Sequence, residues 1–383
     1  MGIIIPAILI IISCLIIWKT SESFEIASNF LGRNLPKGLK GSTINAIASS
    51  MPELLTSLFY IFYITDENSF SGSLGVTAGS AIFNILIIPS AVIVVALING
   101  KLHRLRISKR ILLRDGLFLI IAEIILVLIL RESIALNWYH GLVLICIYLI
   151  YSYLNFKIIK KDKTKNKKEY YENITFSQDK KRHLFQELIK LNLVYLIIKD
   201  GKLYSRKAWL LIITSTLIMA LGSLVLVQGT EWIGKDYYDF WFFGRLKGLD
   251  IPLLFVALIL SSIASSLPDT VISIRDANKG HFDDAFSNVM GSNIFDISLA
   301  IGLPLFLYTV FNEPIKMDGH IVDYGIELWV SLVLITFLSF TVFFVGRYLT
   351  IYKAFILIVL YIGFFIFILD LGLLLEPIAD HVP

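Results

Sequence analysis

Long apolar runs, cut by short polar stretches, organise this chain from one end to the other. Ten can be marked, at roughly 1–31, 41–64, 73–99, 111–130, 137–158, 207–233, 250–274, 284–310, 325–346 and 350–373. Each is about as long as the ~20 residues with which an α-helix crosses a hydrocarbon core about 30 Å thick. The pattern predicts an all-α polytopic membrane protein with ten transmembrane helices. One stretch interrupts it. Lys160 to His183 is rich in charge and reads as a solvated loop, followed by Leu184, Phe185, Leu188, Ile189, Leu191 and Tyr195 in a partly helical pattern broken by Gly201. This segment is expected to lie as an amphipathic helix on the inner membrane face, drawn by its lysines to anionic lipid. It lacks the length and acidic clusters of a calcium-sensing domain. The chain thus divides into a first membrane repeat over 1–159, a cytoplasmic loop over 160–206 and a second membrane repeat over 207–383. With five spans in each, the second half starts from the opposite side of the membrane, so the halves are expected to be inverted five-helix repeats.

Composition leaves no room for a soluble domain of useful size: of 383 residues, 56% are hydrophobic and 17% charged. The net charge of +4 says less than its distribution. If the N-terminus is outside, all but six of the 34 lysines and arginines fall on the cytoplasmic side, the exceptions being Lys19, Arg131, Lys235, Arg245, Lys247 and Lys316. The outer loops are acidic or mixed, as at Asp66-Glu67 and in the tail from Glu376 to Asp380. This asymmetry places both termini outside. The basic patches therefore signal topology and contact with the lipid bilayer; a nucleic-acid partner is not expected, nor is an obligate protein partner. Cys14 and Cys146 fall within spans and imply no disulfide framework. Ile11-Ile12-Ser13-Cys14 has a faint likeness to a lipoprotein cleavage site, but no basic residue precedes it, so the segment reads as the first transmembrane helix.

Within these apolar surroundings the chain repeats a polar phrase. Ile-Ala-Ser-Ser-Met-Pro-Glu runs from Ile47 to Glu53 and Ile-Ala-Ser-Ser-Leu-Pro-Asp from Ile263 to Asp269. Each is followed by a second motif, Gly-Ser-Ala-Ile-Phe-Asn-Ile from Gly79 and Gly-Ser-Asn-Ile-Phe-Asp-Ile from Gly291. Residues four apart share a helix face, which pairs Ser49 with Glu53, Ser265 with Asp269, Ser80 with Asn84 and Ser292 with Asp296. Four helices thus each offer a stripe of oxygen atoms. Carboxylate, amide and hydroxyl oxygens suit sodium and calcium, whereas zinc or copper would call for the His and Cys that these motifs lack. Pro52 and Pro268 each remove a helix hydrogen bond and crowd the carbonyl four residues back, at Ala48 and Ala264. Both helices are expected to break there, turning carbonyls near positions 46–49 and 262–265 into further oxygen ligands.

A plainer reading has weight for any single serine, since serines and glycines commonly pack transmembrane helices together. It does not account for Glu53, Asp269 and Asp296. An unpaired carboxylate at mid-membrane costs roughly 2.5–3.5 kcal/mol on the insertion scale, and no Lys or Arg lies within the motifs. Cations from solution are the natural partners. Glu25, Glu231 and Asn45 are weaker candidates to line an ion path. Glu123 is expected to pack against a neighbouring polar group, and Asp283 and Asp284 to start a helix at the inner mouth. Trp18, Trp138 and Trp329 are expected to anchor the membrane interface.

The motifs resemble the alpha repeats of the sodium/calcium exchanger superfamily of cation antiporters, over both repeats and the ten-span layout. Within it, Ser-Ser-Met-Pro-Glu with Ser-Ser-Leu-Pro-Asp looks most like the potassium-dependent sodium/calcium exchanger branch, favoured by Pro268-Asp269. The resemblance implies a multi-pass protein of the cell membrane, not an enzyme, that needs no cofactor and carries Ca2+, Na+ and, in that branch, K+. It implies that Glu53 and Asp269 bridge calcium together with the backbone carbonyls of Ser49 and Ser265. Ser50, Ser80, Ser266 and Ser292, with carbonyls near Ala46 and Ser262, would shape flanking sodium sites. Asn84 and Asp296 would face each other across the centre, Asp296 being the residue tied to potassium. The first and sixth helices would slide as gates. The sequence departs from the usual pattern at Ala48 and Ala264, where glycine is common, at Ser49 and Ser265, where threonine is frequent, and at Ser262, where alanine is usual.

Rival readings remain at this point. A calcium/proton antiporter could use the same fold, although its usual acidic motifs lack the Ser-Ser-x-Pro pattern. An intramembrane aspartyl protease built on Asp269 and Asp296 would need a Gly-x-Gly-Asp element that is absent. A passive channel is disfavoured by inverted broken helices.

Overall fold

The computed structural model describes residues 2–33, 41–64, 69–100, 108–132, 135–161, 172–173, 186–187, 190–198, 201–241, 243–316, 319–346 and 348–373. Of the features read from sequence, Asp66-Glu67, the tail from Glu376 to Asp380, and the charged loop apart from residues 160, 161, 172 and 173 lie outside these residues, as do Leu184, Phe185, Leu188 and Ile189. The described residues are almost entirely helical. Its helices are α1 (Ile4–Leu31), α2 (Ala46–Ser49), α3 (Met51–Tyr63), α4 (Ser69–Ile98), α5 (Lys109–Glu132), α6 (Trp138–Lys161), α7 (Leu193–Ile197), α8 (Ser205–Gly234), α9 (Leu253–Val256), α10 (Ser262–Lys279), α11 (Phe282–Phe295), α12 (Gly302–Phe311), α13 (Gly319–Phe344) and α14 (Ile351–Leu373). Wider π-helical turns occupy Gly41–Asn45, Ala257–Ser261 and Asp296–Ile301.

Among the described residues, eight helical stretches are long and apolar enough to cross a membrane. They are α1, α4, residues Trp138–Lys157 of α6, α8, Leu253–Lys279, Phe282–Phe311, Val322–Phe344 and Ile351–Leu369. Two of the ten apolar runs fall outside this set for physical reasons. Residues 41–64 are divided by a π turn and a break at Ser50, and α5 carries Lys109, Arg110, Arg114, Asp115, Glu123, Arg131 and Glu132.

The motif-bearing segments form the centre. Within an 18-residue apolar stretch of each span, the share of buried residues is 61% in α4, 67% in Leu253–Lys279 and 61% in Phe282–Phe311, against 28–39% for the other spans. Close approach at the centre depends on missing side chains. A Cβ on Gly79 of α4 would lie 2.1 Å from the carbonyl oxygen of Leu258, and one on Gly291 of α11 would lie 2.8 Å from the Cα of Ser42. The two contacts correspond: Ser42 stands to Glu53 in the first repeat as Leu258 stands to Asp269 in the second. The π turns Gly41–Asn45 and Ala257–Ser261 correspond in the same way. Neither turn was read from the sequence, since no residue type marks a π turn.

Helices α1 and α8 flank this core and pack against each other along their length. Gly222 meets Ile16 and Ile17, and Gly229 meets Ile10 and Pro6, so the two run antiparallel. A hairpin of β1 (Tyr237–Phe240) and β2 (Gly244–Lys247) follows α8, and Tyr238 Oη donates to the carbonyl of Gly2 at 2.5 Å. At the other end lies α7, capped by Asn192, whose side chain accepts from the Tyr195 amide. Leu193, Val194 and Ile198 pack on Ala27 and Phe30 of α1 and on Ala208 and Leu211 of α8. The segment expected to lie on lipid thus has part of its apolar face docked on these two helices.

Three further expectations meet different outcomes. Glu123 accepts a 2.7 Å hydrogen bond from Thr336 across α5 and α13, as its apolar setting requires. Trp18 and Trp138 are 36% and 47% exposed, but Trp329 is fully buried in the main core and anchors no interface. The prolines also differ. The first helix breaks, with Ser50 at φ −91° and ψ 5° between α2 and α3, whereas α10 continues through Pro268. A proline removes one hydrogen bond but ends a helix only when the backbone around it also leaves the helical region.

Candidate cation site

Glu53, Asp269 and Asp296 are fully buried at the centre, together with Ser49, Ser50, Ser80, Asn84, Ser265, Ser266 and Ser292. Glu53 lies in the first turn of α3, immediately after the break, where the positive end of the helix dipole favours a carboxylate. Its Oε1 accepts from Ser80 Oγ at 3.2 Å and Ser266 Oγ at 3.3 Å, while Oε2 is buried with no hydrogen-bond partner. Ser80 Oγ also reaches Asp296 Oδ2 at 3.0 Å, and Asp296 Oδ1 is likewise bare. Asp269 is held differently, by three donors. Oδ1 accepts from Ser292 Oγ at 2.6 Å and from Asn288 Nδ2 at 3.3 Å; Oδ2 accepts from Asn84 Nδ2 at 3.1 Å.

The structure therefore gathers the predicted carboxylates and hydroxyls from both repeats. The Asn84 amide donates to Asp269 and to Ser80 Oγ at 3.3 Å, and Asp296 shares Ser80 with Glu53, so Asn84 and Asp296 meet through that serine. An amide N–H is drawn to a carboxylate, which leaves Asn84 Oδ1 without a partner. Ser49 Oγ donates to the carbonyls of Asn45 at 2.9 Å and Ala46 at 3.3 Å, and lies 3.1 Å from Ser292 Oγ. Ser265 Oγ donates to the carbonyl of Ser262 at 3.2 Å. Ala46 and Ser262 are thus brought to corresponding places, their carbonyls already engaged by serines. Ser50 Oγ is buried and unpartnered.

Two properties define the chemistry. None of the three carboxylates is paired with a lysine or arginine among the described residues. The oxygens also outnumber the protons available to them. Ser80 carries one hydroxyl proton yet lies within hydrogen-bond reach of two carboxylates, so it satisfies one of them at a time. Unpaired buried charge and bare oxygens are costly in an apolar interior. A cation entering the cluster would relieve both costs.

Sequence reasoning missed Asn288 and Ser273. Asn288 bonds both Asp269 and Ser273, whose Oγ it reaches at 3.2 Å. The available signal was its position four residues before Ser292 on the same helical stripe. Of the weaker candidates, Glu25 pairs with Arg275, Asn45 donates to Asp276, and Glu231 pairs with Lys235. None of the three joins the central cluster. Asp283 Oδ1 accepts from the Ser108 amide at 2.8 Å at the start of α11.

Comparison with known proteins follows the same lines. The human protein named sodium/potassium/calcium exchanger 5 is 27% identical over 384 residues, covering 81% of this chain and 71% of the relative. The chicken protein named sodium/potassium/calcium exchanger 1 is 39% identical over 67 residues, only 17% of this chain and 10% of the relative. Among solved structures, the H+/Ca2+ exchanger CAX superposes with a TM-score of 0.62 at 14% identity, over 93% of this chain and 85% of that one. The sodium-calcium exchanger NCX_Mj, soaked with 10 mM Na+ and 10 mM Sr2+, gives 0.51 at 18% identity over 94% and 97%. At these identities the two structures speak for the fold alone. The family described as sodium/calcium exchanger protein matches residues 5–157 and 207–369, the two segments that carry the repeated motifs. With most of its length matched, the chain belongs to the sodium/calcium exchanger protein family.

Proposed function

We propose that this protein is a secondary-active antiporter that exchanges sodium for calcium by alternating access. Its ten helices form two inverted repeats over 1–159 and 207–383, joined by a cytoplasmic loop over 160–206, with both termini outside and the cell membrane as its location. The antiparallel packing of α1 and α8, the first long helix of each repeat, supports the inversion. The reading is carried by one observation: three buried carboxylates from both repeats, two of them with bare oxygens, have no basic partner among the described residues. Glu53 and Asp269 would hold calcium with the carbonyls of Ser49 and Ser265. Ser50, Ser80, Ser266 and Ser292, with the carbonyls of Ala46 and Ser262, would complete sodium sites over the same oxygens. Because the ions compete for one cluster, it carries one load in and the other out.

Energetics limit the exchange ratio. Expelling calcium against a ten-thousandfold gradient costs about 5.5 kcal/mol, plus roughly 4.6 kcal/mol for two charges at 100 mV. Each sodium entering down a tenfold gradient and the same potential yields roughly 3.7 kcal/mol. Two sodium ions fall short, and three suffice. Calcium uptake into proteoliposomes should follow an imposed sodium gradient; uptake driven by a pH gradient without sodium would overturn the assignment.

Calcium/proton antiport is the second reading, because the single Ser80 proton between Glu53 and Asp296 leaves an oxygen that a proton could also satisfy. The same gradient experiment separates the two. Potassium is addressed by Asp296→Asn. If the protein shares the potassium-dependent behaviour, this variant should lose potassium stimulation of calcium flux while sodium-driven calcium exchange continues. Potassium stimulation equal to the parent's would remove Asp296 from that role.

A further inference from the structure

We propose that Arg275 and Tyr60 are positioning residues that set which side of the membrane the cation site faces, Arg275 latching the cytosolic side and Tyr60 the outer side. This rests on the antiport reading and its topology. On the cytosolic side, Arg275 Nη1 meets Glu25 Oε2 at 2.6 Å and Nη2 meets Glu22 Oε1 at 3.1 Å. The carboxylates belong to α1 and the guanidinium to α10, so the planar fork staples these helices together. Arg275 lies less than two helical turns beyond Asp269. Between them, Trp18, Ser21, Glu22 and Glu25 of α1 and Pro268, Val271 and Ile272 of α10 enclose a narrow crevice. It runs from the ion pairs to the neighbour of Asp269. Next to Arg275, Asp276 accepts from Asn45 Nδ2 at 3.1 Å.

On the outer side, Tyr60 Oη lies 2.7 Å from Thr230 Oγ1 of α8 and 2.6 Å from Ser261 Oγ. Tyr63 Oη, one helical turn on, donates to Gln228 Oε1 of α8. Helix α3 is thereby held to α8 as α10 is held to α1. The two contacts are related by the repeat. Tyr60 and Ser261 occupy the places that Asp276 and Asn45 occupy in the other half, counted from Glu53 and Asp269. The place corresponding to Arg275 is filled by Phe59. The geometry is kept and the chemistry differs: the cytosolic latch is charged, and the outer one is made of hydroxyls.

Both latches are closed here, and the central side chains are fully buried. Alternating access opens one side at a time. Weakening one latch therefore raises the population open to that side, and with it the apparent affinity for ions arriving there.

The test replaces Cys14 and Cys146, the chain's two cysteines, with alanine and installs Ser21→Cys in the cytosolic crevice. A membrane-impermeant maleimide is then applied from the cytosolic face of oriented proteoliposomes. Arg275→Gln should label about tenfold faster than the parent, and Arg275→Lys, which keeps the charge but not the fork, should fall between. The double variant Glu22→Gln with Glu25→Gln breaks the same latch from the opposite helix and should match Arg275→Gln, which guards against a folding defect in either. Tyr60→Phe should leave this rate at or below the parent's and lower the half-saturating calcium at the outer face. Equal labelling in parent, Arg275→Gln and the double variant overturns the proposal. Labelling does not require transport, so unchanged labelling with intact flux removes the latch and leaves antiport standing. Faster labelling with no sodium-driven calcium flux in the parent does the reverse.

Discussion

Glu53→Gln and Asp269→Asn should each abolish sodium-driven calcium uptake, by at least ~100-fold, the scale expected when a buried charge loses its partner. Each substitution keeps the shape of the side chain and removes the charge that a cation must meet. Their effects on stability should differ. In Glu53→Gln the oxygen can still accept from Ser80 and Ser266, while the new amide nitrogen takes the place of Oε2, which has no partner to lose. Glu53→Gln should therefore melt at or above the parent temperature in ion-free detergent. Asp269 has no bare oxygen. Its Oδ1 takes Ser292 and Asn288 and its Oδ2 takes Asn84, so either orientation of the new amide turns a donor toward an amide donor. Asp269→Asn should lower the unfolding temperature as well as stop flux. Near-normal calcium flux in either variant would show that the centre of the site lies elsewhere.

Gly79→Ala is the second large effect, and it requires no chemistry at the site. The added methyl would sit 2.1 Å from the Leu258 carbonyl oxygen and 2.5 Å from Ser262 Oγ. The first of these is backbone, which cannot rotate away, so α4 must separate from the Ala257–Ser261 turn. Overpacking of this kind costs about 1–3 kcal/mol or more, and the displaced neighbour of Gly79 is Ser80. Both unfolding temperature and calcium flux should fall. Gly291→Ala meets its nearest atom at 2.8 Å and should be milder, while Gly363→Ala has nothing within 4 Å and should be as stable as the parent or slightly more so. Equal stability in all three would mean that the close backbone approach is not needed.

Particular residues show how much of this was legible in sequence. Runs of apolar residues announced the membrane, and the repeated phrases around Glu53 and Asp269 announced the site, because both signals are local. Asn45 and Asp276 are 231 positions apart, and Arg275 and Glu25 are 250 apart. Nothing in one end of such a pair specifies the other; only packing of α1 and of the segment Gly41–Ser49 against α10 brings them together. Trp329 could equally have been an interface anchor or a core residue, since its composition-based signal is the same in both settings. Pro52 and Pro268 look equivalent in the sequence, yet only the first interrupts its helix, because the break lies in the backbone of Ser50, a residue that both repeats share.

The antiparallel packing of α1 and α8 has an electrical consequence. Each helix carries a macrodipole equivalent to about half a charge at either end. In opposed neighbours of similar length, 28 and 30 residues, the two fields largely cancel. Displacing the pair along the membrane normal then does little work against the transmembrane potential through its backbone. Voltage acts instead on whole charges: the side chains the pair carries and, above all, the ions in the site. Under the proposed exchange of three sodium ions for one calcium, one net charge moves per cycle, so the current should report the cargo far more than the scaffold.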